Sequence, residues 1–253
     1  MPVAAGIYYF SHNPELSKSP PVVLIHGAGQ THISWPPGIR RLPDVRVLAV
    51  DLPGHGKSKG LGRNSIQAYA ENLGAMLDTL DINKAVLVGH SMGGGIALQF
   101  ALDFPHRVSG LGLVAAGARL PVSKDLLEEL SIPSTRPQAH KHIIEWSYGQ
   151  LANEDLKKLA LRTLDETRPA VLSGDLLACD SFDVAGRLAE IRVPTLIVCG
   201  SEDRMTPLHF SMKLASAIPG AAMQIVESAG HMVMVEQPAR VAGILSVFFR
   251  SLK

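Results

Sequence analysis

The sequence predicts an α/β protein with a mostly parallel central sheet of about seven or eight strands, flanked by helices and interrupted by an all-helical insertion. Three observations lead there. Short Val/Leu/Ile-rich runs alternate with stretches of helical spacing through the first half of the chain. The runs are continuous rather than strictly alternating, as in strands covered on both faces. Residues 118–183 carry helical patterns and no strand-like run, after which the alternation resumes.

The elements follow in order. Residues 7–11 form the first good strand. PVVLI at 21–25 is the next and ends at His26-Gly27, and VRVLAVD at 45–51 ends at Leu52-Pro53-Gly54. Residues 65–80 place Ile66, Tyr69, Leu73, Met76, Leu77 and Leu80 on one helical face. A strand at 85–89, a helix at 93–103 and a strand at 108–115 come next. Helical patterns at 124–130, 137–149, 154–166 and 169–178 make up the insertion, and 184–191 returns the chain to the sheet. PTLIVCG at 194–200 and AMQIVE at 222–227 are late strands, with helices at 208–218 and 238–252. The core is therefore assigned to 1–117 and 184–253, and 118–183 is an insertion rather than an independent domain. Strand–helix alternation implies right-handed crossovers and parallel pairing. Ligands in such sheets bind beyond the C-terminal strand ends.

A chain of 253 residues is long enough for one α/β domain with a sizeable core. A net charge of +1, with 19% charged residues and no basic run, gives no electrostatic reason to expect nucleic acid or an acidic lipid surface as partner. No run approaches the ~18 apolar residues of a membrane span. The first eighteen residues lack a basic region followed by an apolar block, so no signal peptide is expected. Cys179 and Cys199 form no CxxC pair and read as reduced core thiols. The expectation is a soluble, cytoplasmic protein. There is no HExxH and no Cys/His cluster of zinc spacing; His140 and His142, two apart on a helix, face different directions. Neither a metal nor a cofactor is expected.

The chemistry sits at the strand ends. Gly89-His90-Ser91-Met92-Gly93 joins an apolar strand to a helix. A tight strand–turn–helix exposes its central serine, holds it rigidly and aims a helix N-terminus at it, and flanking glycines avoid Cβ clashes. The same glycines also fit plain close packing of helix on sheet, a reading that stays open for Gly94 and Gly95. A serine hydroxyl needs a base and an acid that orients the base. Asp203, with Glu202 beside it, follows one late strand, and His231 follows the next. Two backbone N–H groups are needed for a developing oxyanion. Met92 follows the serine, and the small-residue loop His26-Gly27-Ala28-Gly29 offers Ala28. His26 reads as a structural hydrogen-bonder, because His231 already fills the base role. Asp51 and His55 read as turn-bracing residues in DLPGHGKS.

The segments VVLIHGAG, VLAVDLPGHGKS, VLVGHSMGGGIALQFA, PTLIVCGSEDRMTP and ESAGHMVMVEQP resemble α/β-hydrolase-fold serine hydrolases, of the esterase and lipase kind with a helical cap, over nearly the whole chain. The resemblance implies Ser91 as nucleophile, Asp203 as acid, His231 as base, and the Ala28 and Met92 amides as oxyanion hole. One departure is visible. Relatives open with an antiparallel hairpin, and only about twenty residues precede PVVLI here, so the first strand is expected to be missing or vestigial. Trp35, Trp146, Met232 and His32 are the residues expected in a substrate pocket.

The expected reaction is cleavage of a small-to-medium, mostly uncharged carboxylic ester through an acyl-enzyme on Ser91, with turnover falling below neutral pH as His231 takes a proton. The same parts serve C–C hydrolases, lactonases and thioesterases, and some proteins of this fold are ligand receptors. C–C hydrolases of this kind often carry Asn at the His90 position and clamp a substrate carboxylate, for which Arg119 and Arg136 are the cations in the insertion.

Overall fold

The computed structural model describes residues 2–16 and 19–252; Met1, Ser17, Lys18 and Lys253 lie outside the described residues. Eight strands form one sheet: β1 (Val3–Ala4), β2 (Ile7–His12), β3 (Val22–Ile25), β4 (Val47–Asp51), β5 (Ala85–His90), β6 (Val108–Val114), β7 (Thr195–Gly200) and β8 (Ala222–Val226). Their spatial order is β1-β2-β4-β3-β5-β6-β7-β8. β1 pairs antiparallel with β2 and β2 antiparallel with β4, and every later pairing is parallel. β1 is only two residues long. The first strand is thus short but present, and the sheet has eight strands.

Side-chain alternation sorts the strands into two cores. Val23, Ile25, Leu48, Val50, Leu87, Leu111, Leu113 and Ile197 pack on one face with α2 (Ile66–Thr79), α3 (Met92–Asp103) and α8 (Leu208–Ala217). Val22, Leu24, Val47, Ala49, Val86, Val88, Leu196 and Val198 pack on the other with α1 (Pro37–Arg40), α9 (Val233–Glu236) and α10 (Pro238–Ser251). Every residue of β3, β4, β5 and β7 is buried. Both faces are covered, which is why these strands read as unbroken apolar runs. Helix α2 starts where the Ser65 hydroxyl accepts the Ala68 N–H at 3.2 Å, which satisfies one of the free amides of its first turn.

Four helices lie between β6 and β7: α4 (Lys124–Ser131), α5 (Arg136–Ser147), α6 (Glu154–Glu166) and α7 (Pro169–Asp180). They hold a small apolar cluster of their own, with Leu126, Leu130, Ala139, Leu164, Leu172 and Leu176 buried in it. The neck of the insertion is closed by an antiparallel bridge between Arg119 and Asp183. The Val184 N–H donates to the Ala118 carbonyl at 2.9 Å, and the Arg119 and Asp183 side chains pair at 2.7 Å. That ion pair is exposed and adds little stability; the backbone pairing fixes the neck. A 3-10 turn, Ala185–Glu190, then leads to β7.

The β5–α3 connection is a single residue. Ser91 is the only residue between strand and helix, at φ 52° and ψ −117°, in the left-handed half of backbone space. A non-glycine residue there stores on the order of 1–3 kcal/mol of strain. Its N–H is anchored to the Val114 carbonyl of β6 at 2.9 Å. A Cβ on Gly89 would overlap the Gly93 carbonyl, and one on Gly93 would overlap the Ile25 carbonyl. A Cβ on Gly94 would meet the Ala116 side chain. Gly89 and Gly93 thus make the turn possible, and Gly94 seats α3 against the segment after β6. Gly89→Ala is expected to destabilise the protein by about 3 kcal/mol or more, because backbone rather than a flexible side chain blocks the added methyl. Thermal and denaturant unfolding of the variant measure this, and a melting temperature equal to wild type would contradict it.

Candidate active site

The loops after β3, β5, β7 and β8 converge at one end of the sheet. His231, on the loop after β8, is 3% exposed. Its Nδ1 lies 2.9 Å from Asp203 Oδ2 and 3.2 Å from Oδ1. Asp203, on the loop after β7, also accepts the Met205 and Thr206 N–H groups at 2.9 and 2.8 Å and the Thr206 hydroxyl at 2.8 Å. Burial alone would raise the Asp203 pKa. The charge and hydrogen bond of His231, with the Thr206 donors, outweigh burial and hold it below the usual carboxylate value. With Nδ1 committed as donor to a carboxylate, the His231 tautomer leaves Nε2 as an acceptor.

Ser91 and His231 line one cavity of about 80 Å³ together with Ala28 and Gln30. Its remaining wall is largely apolar and comes from the insertion and its neck, with Val122, Ile143, Leu164, Leu172 and Leu176. Ala28, Gln30, Ile143, Ser147 and Leu164 are shared with a larger neighbouring cavity of about 430 Å³, lined further by Leu156, Ala160, Tyr148 and Met232. The Gln30 amide touches the Met232 sulfur at 3.3 Å, at the boundary between the two. A third, polar cavity of about 580 Å³ lies beside Gly54–Gly60 and Arg168 and contains neither Ser91 nor His231.

The loop after β3 uses its amides unequally. The Gly27 N–H donates to the Gln30 side-chain oxygen, the Gln30 N–H to the Gly27 carbonyl, and the Gly29 N–H to Asp175 Oδ2 at 2.8 Å. Among the described residues the Ala28 N–H has no acceptor, and neither has that of Met92 at the first turn of α3. Two buried histidines brace the surroundings. His26 donates Nδ1–H to the Gly27 carbonyl and accepts the Leu52 N–H at Nε2. His90 donates from Nε2 to the His231 carbonyl at 3.0 Å, with the two rings 4.8 Å apart. Each is pushed down to about 3, chiefly by burial and next by a neighbouring histidine, and so stays neutral.

Ser91, His231 and Ala28 meet at one cavity with Asp203 behind His231, and Met92 supplies its backbone at the helix start. Of the expected pocket residues, Met232 lines the larger cavity. Trp35 is fully buried in the core on the α1/α10 face, while its neighbours Ile33 and Ser34 reach the larger cavity. A 3-10 turn, His32–Ser34, sends the indole the other way. His32 is bound through its N–H and its ring Nδ1 to the buried Asp51 carboxylate, at 2.7 and 2.8 Å. It is a brace, not a pocket wall. Trp146 stacks on His142 at 5.6 Å on the insertion, while Ile143 and Ser147 of the same helix line the cavities. Sequence reading also missed Gln30, Thr206 and Asp175. Thr206 had a signal: three residues after an acidic residue is the spacing at which a hydroxyl folds back onto a carboxylate.

Comparison with known proteins agrees with this fold. Residues 22–244 match the alpha/beta hydrolase family. An uncharacterised protein of Mycobacterium tuberculosis is 32% identical over 91% of this chain and 75% of its own length. The 2-hydroxy-6-oxo-2,4-heptadienoate hydrolase of Pseudomonas putida is 29% identical over 94% of this chain and 91% of its own. The solved structure of a thermophilic esterase superposes with a TM-score of 0.84 at 29% identity, covering 97% of this chain and 94% of that one. With its eight-stranded sheet, its serine turn and a match spanning most of its length, the chain belongs to the alpha/beta hydrolase family.

Proposed function

We propose that this protein is a serine hydrolase that cleaves small-to-medium, uncharged carboxylic esters through an acyl-enzyme on Ser91. The observation that carries the reading is the buried Asp203–His231 pair facing a cavity that Ser91 also lines. In this mechanism His231 Nε2 takes the Ser91 proton as Oγ attacks the ester carbonyl. The tetrahedral oxyanion is held by the Ala28 and Met92 N–H groups, neither of which has an acceptor among the described residues. His231 then passes the proton to the leaving alcohol and activates the water that releases the acid. Asp203 keeps the imidazole in the working tautomer and stabilises its charged form. The four-helix insertion acts as a cap that walls the site from solvent and shapes the substrate.

The choice of ester over C–C cleavage rests on charge. The Pseudomonas putida relative is named for a carboxylate substrate. Neither the cavity at Ser91 nor its larger neighbour has a Lys or Arg in its wall. Arg119 is engaged with Asp183, and the Arg136 guanidinium donates to the Leu130 carbonyl. The small apolar cavity at Ser91 suits a short acyl group, and the larger one its partner across the scissile bond. The thermophilic esterase relative points the same way.

Wild type is expected to hydrolyse p-nitrophenyl acetate and butyrate faster than long-chain esters and to outpace its own cleavage of a vinylogous diketone acid. Ser91→Ala is expected to lower kcat by about 10⁶-fold and abolish fluorophosphonate labelling. Failure of wild type both to label at Ser91 and to cleave any ester would sink the reading. Asp203→Asn is expected to lower kcat by about 10⁴-fold with the fold retained. Because the folded pKa of Asp203 is depressed, its stabilising contribution is present above its unfolded value of about 3.9 and is lost as pH falls through the lower folded value. The melting-temperature gap between wild type and Asp203→Asn is therefore expected to be constant from pH 5 to 8 and to close in more acid buffer, as read by calorimetry.

A further inference from the structure

Asp175 lies on α7, in the insertion, and is fully buried. A lone buried carboxylate is costly, and its lone pairs must be filled. Here they are filled entirely by the core. Oδ2 accepts the Gly29 N–H at 2.8 Å and faces His55 Nε2 at 2.7 Å, and Oδ1 accepts the Tyr69 hydroxyl at 2.5 Å. The three donors come from the loop after β3, the loop after β4 and helix α2. His55 Nδ1 faces the Pro53 carbonyl at 3.1 Å. With an acceptor at each ring nitrogen, His55 carries both protons and pairs with Asp175 as a cation. Burial opposes that charge, but the Asp175 hydrogen bond and charge outweigh burial and raise the His55 pKa.

The insertion also grips the other side of Gly29. The Thr167 hydroxyl donates to the Gly29 carbonyl at 3.0 Å. Gly29 sits at φ +65°, and a Cβ there would press on Leu172 at 2.9 Å and Leu164 at 3.2 Å. Both polar groups of one glycine in the loop after β3 are thus held by residues of the insertion. The Gly29 N–H shares its peptide plane with the Ala28 carbonyl, one bond pair from the Ala28 N–H that is left without an acceptor.

We propose that Asp175 is a positioning residue: by holding the Gly29 N–H it sets the orientation of the Ala28 N–H, so that the oxyanion site is complete only while α7 is seated on the core. The proposal rests on the serine-hydrolase reading above. The insertion is then a part of the catalytic geometry as well as a wall. A misplacement of about 1 Å in such a donor costs on the order of 10²-fold in rate.

The test uses p-nitrophenyl acetate, a trifluoromethyl ketone inhibitor and thermal melting on the full chain. Asp175→Ala is expected to lower kcat by about 10²-fold, leave KM within about 2-fold, and weaken the inhibitor by the same factor as kcat/KM. Asp175→Asn keeps an acceptor for the Gly29 N–H, and its amino group can donate to the Tyr69 hydroxyl; it is expected to stay within about 5-fold of wild type. Thr167→Val, a milder change outside the Ser91 cavity, is expected to lower kcat several-fold with KM unchanged, which keeps the idea testable if Asp175→Ala does not fold. A fall in melting temperature with kcat intact, or a rise in KM alone, overturns the proposal. Fluorophosphonate labelling of wild-type Ser91 separates the two claims. Labelled wild type with unimpaired variants overturns the positioning role alone. Unlabelled wild type overturns the nucleophile reading and this proposal with it.

Discussion

At Ser91 the backbone changes from strand to helix in a single residue, and the rest of the site depends on that turn. It requires a positive φ at a residue with a side chain, bare glycines on both sides, and an anchor to the neighbouring strand. The strain is held because β5 lies between β3 and β6, and α3 presses onto both β5 and β6. A looser sheet would relax the turn and bury or release the hydroxyl. The sheet's stiffness, built from strands buried on both faces, is therefore the first requirement of the chemistry.

Around that turn the buried histidines divide the electrostatic work by what each ring nitrogen meets. His26 bridges two backbone groups and His90 donates to one, the His231 carbonyl; both stay neutral and fix loop shape. His231 meets a carboxylate on one side and the cavity on the other. His55 meets acceptors on both sides, and its pKa is raised. Four rings of identical covalent structure thus meet three different sets of partners within one end of the sheet. Hydrogen-bond partners, more than depth of burial, separate them.

Much of this was legible in the sequence where local pattern and function coincide. Ser91, Asp203 and His231 each follow a strand within five residues, so the pattern that marks the strand also points to the loop beyond it. Orientation was less accessible. Nothing in THISWPP says that Trp35 turns into the core while Ile33 and Ser34 face the larger cavity, because a 3-10 turn carries no hydrophobic period. Asp175 was invisible for another reason. Its partners lie 146, 120 and 106 residues away, and a single acid in an apolar helix pattern gives no hint of where its donors will come from.

The neck of the insertion has a consequence for how such proteins can diversify. The chain leaves and rejoins the core through one pair of bridged residues, so topologically the four helices form a cassette that could be exchanged without touching a strand. Chemically the cassette is not free to travel. Its acid at position 175 and its threonine at 167 are matched to a particular glycine, histidine and tyrosine in the host. A graft from another member would close the neck and still leave that carboxylate, or its three donors, without a counterpart. Modularity here is limited by a buried polar match, and helical segments can be inherited freely only among hosts that keep it.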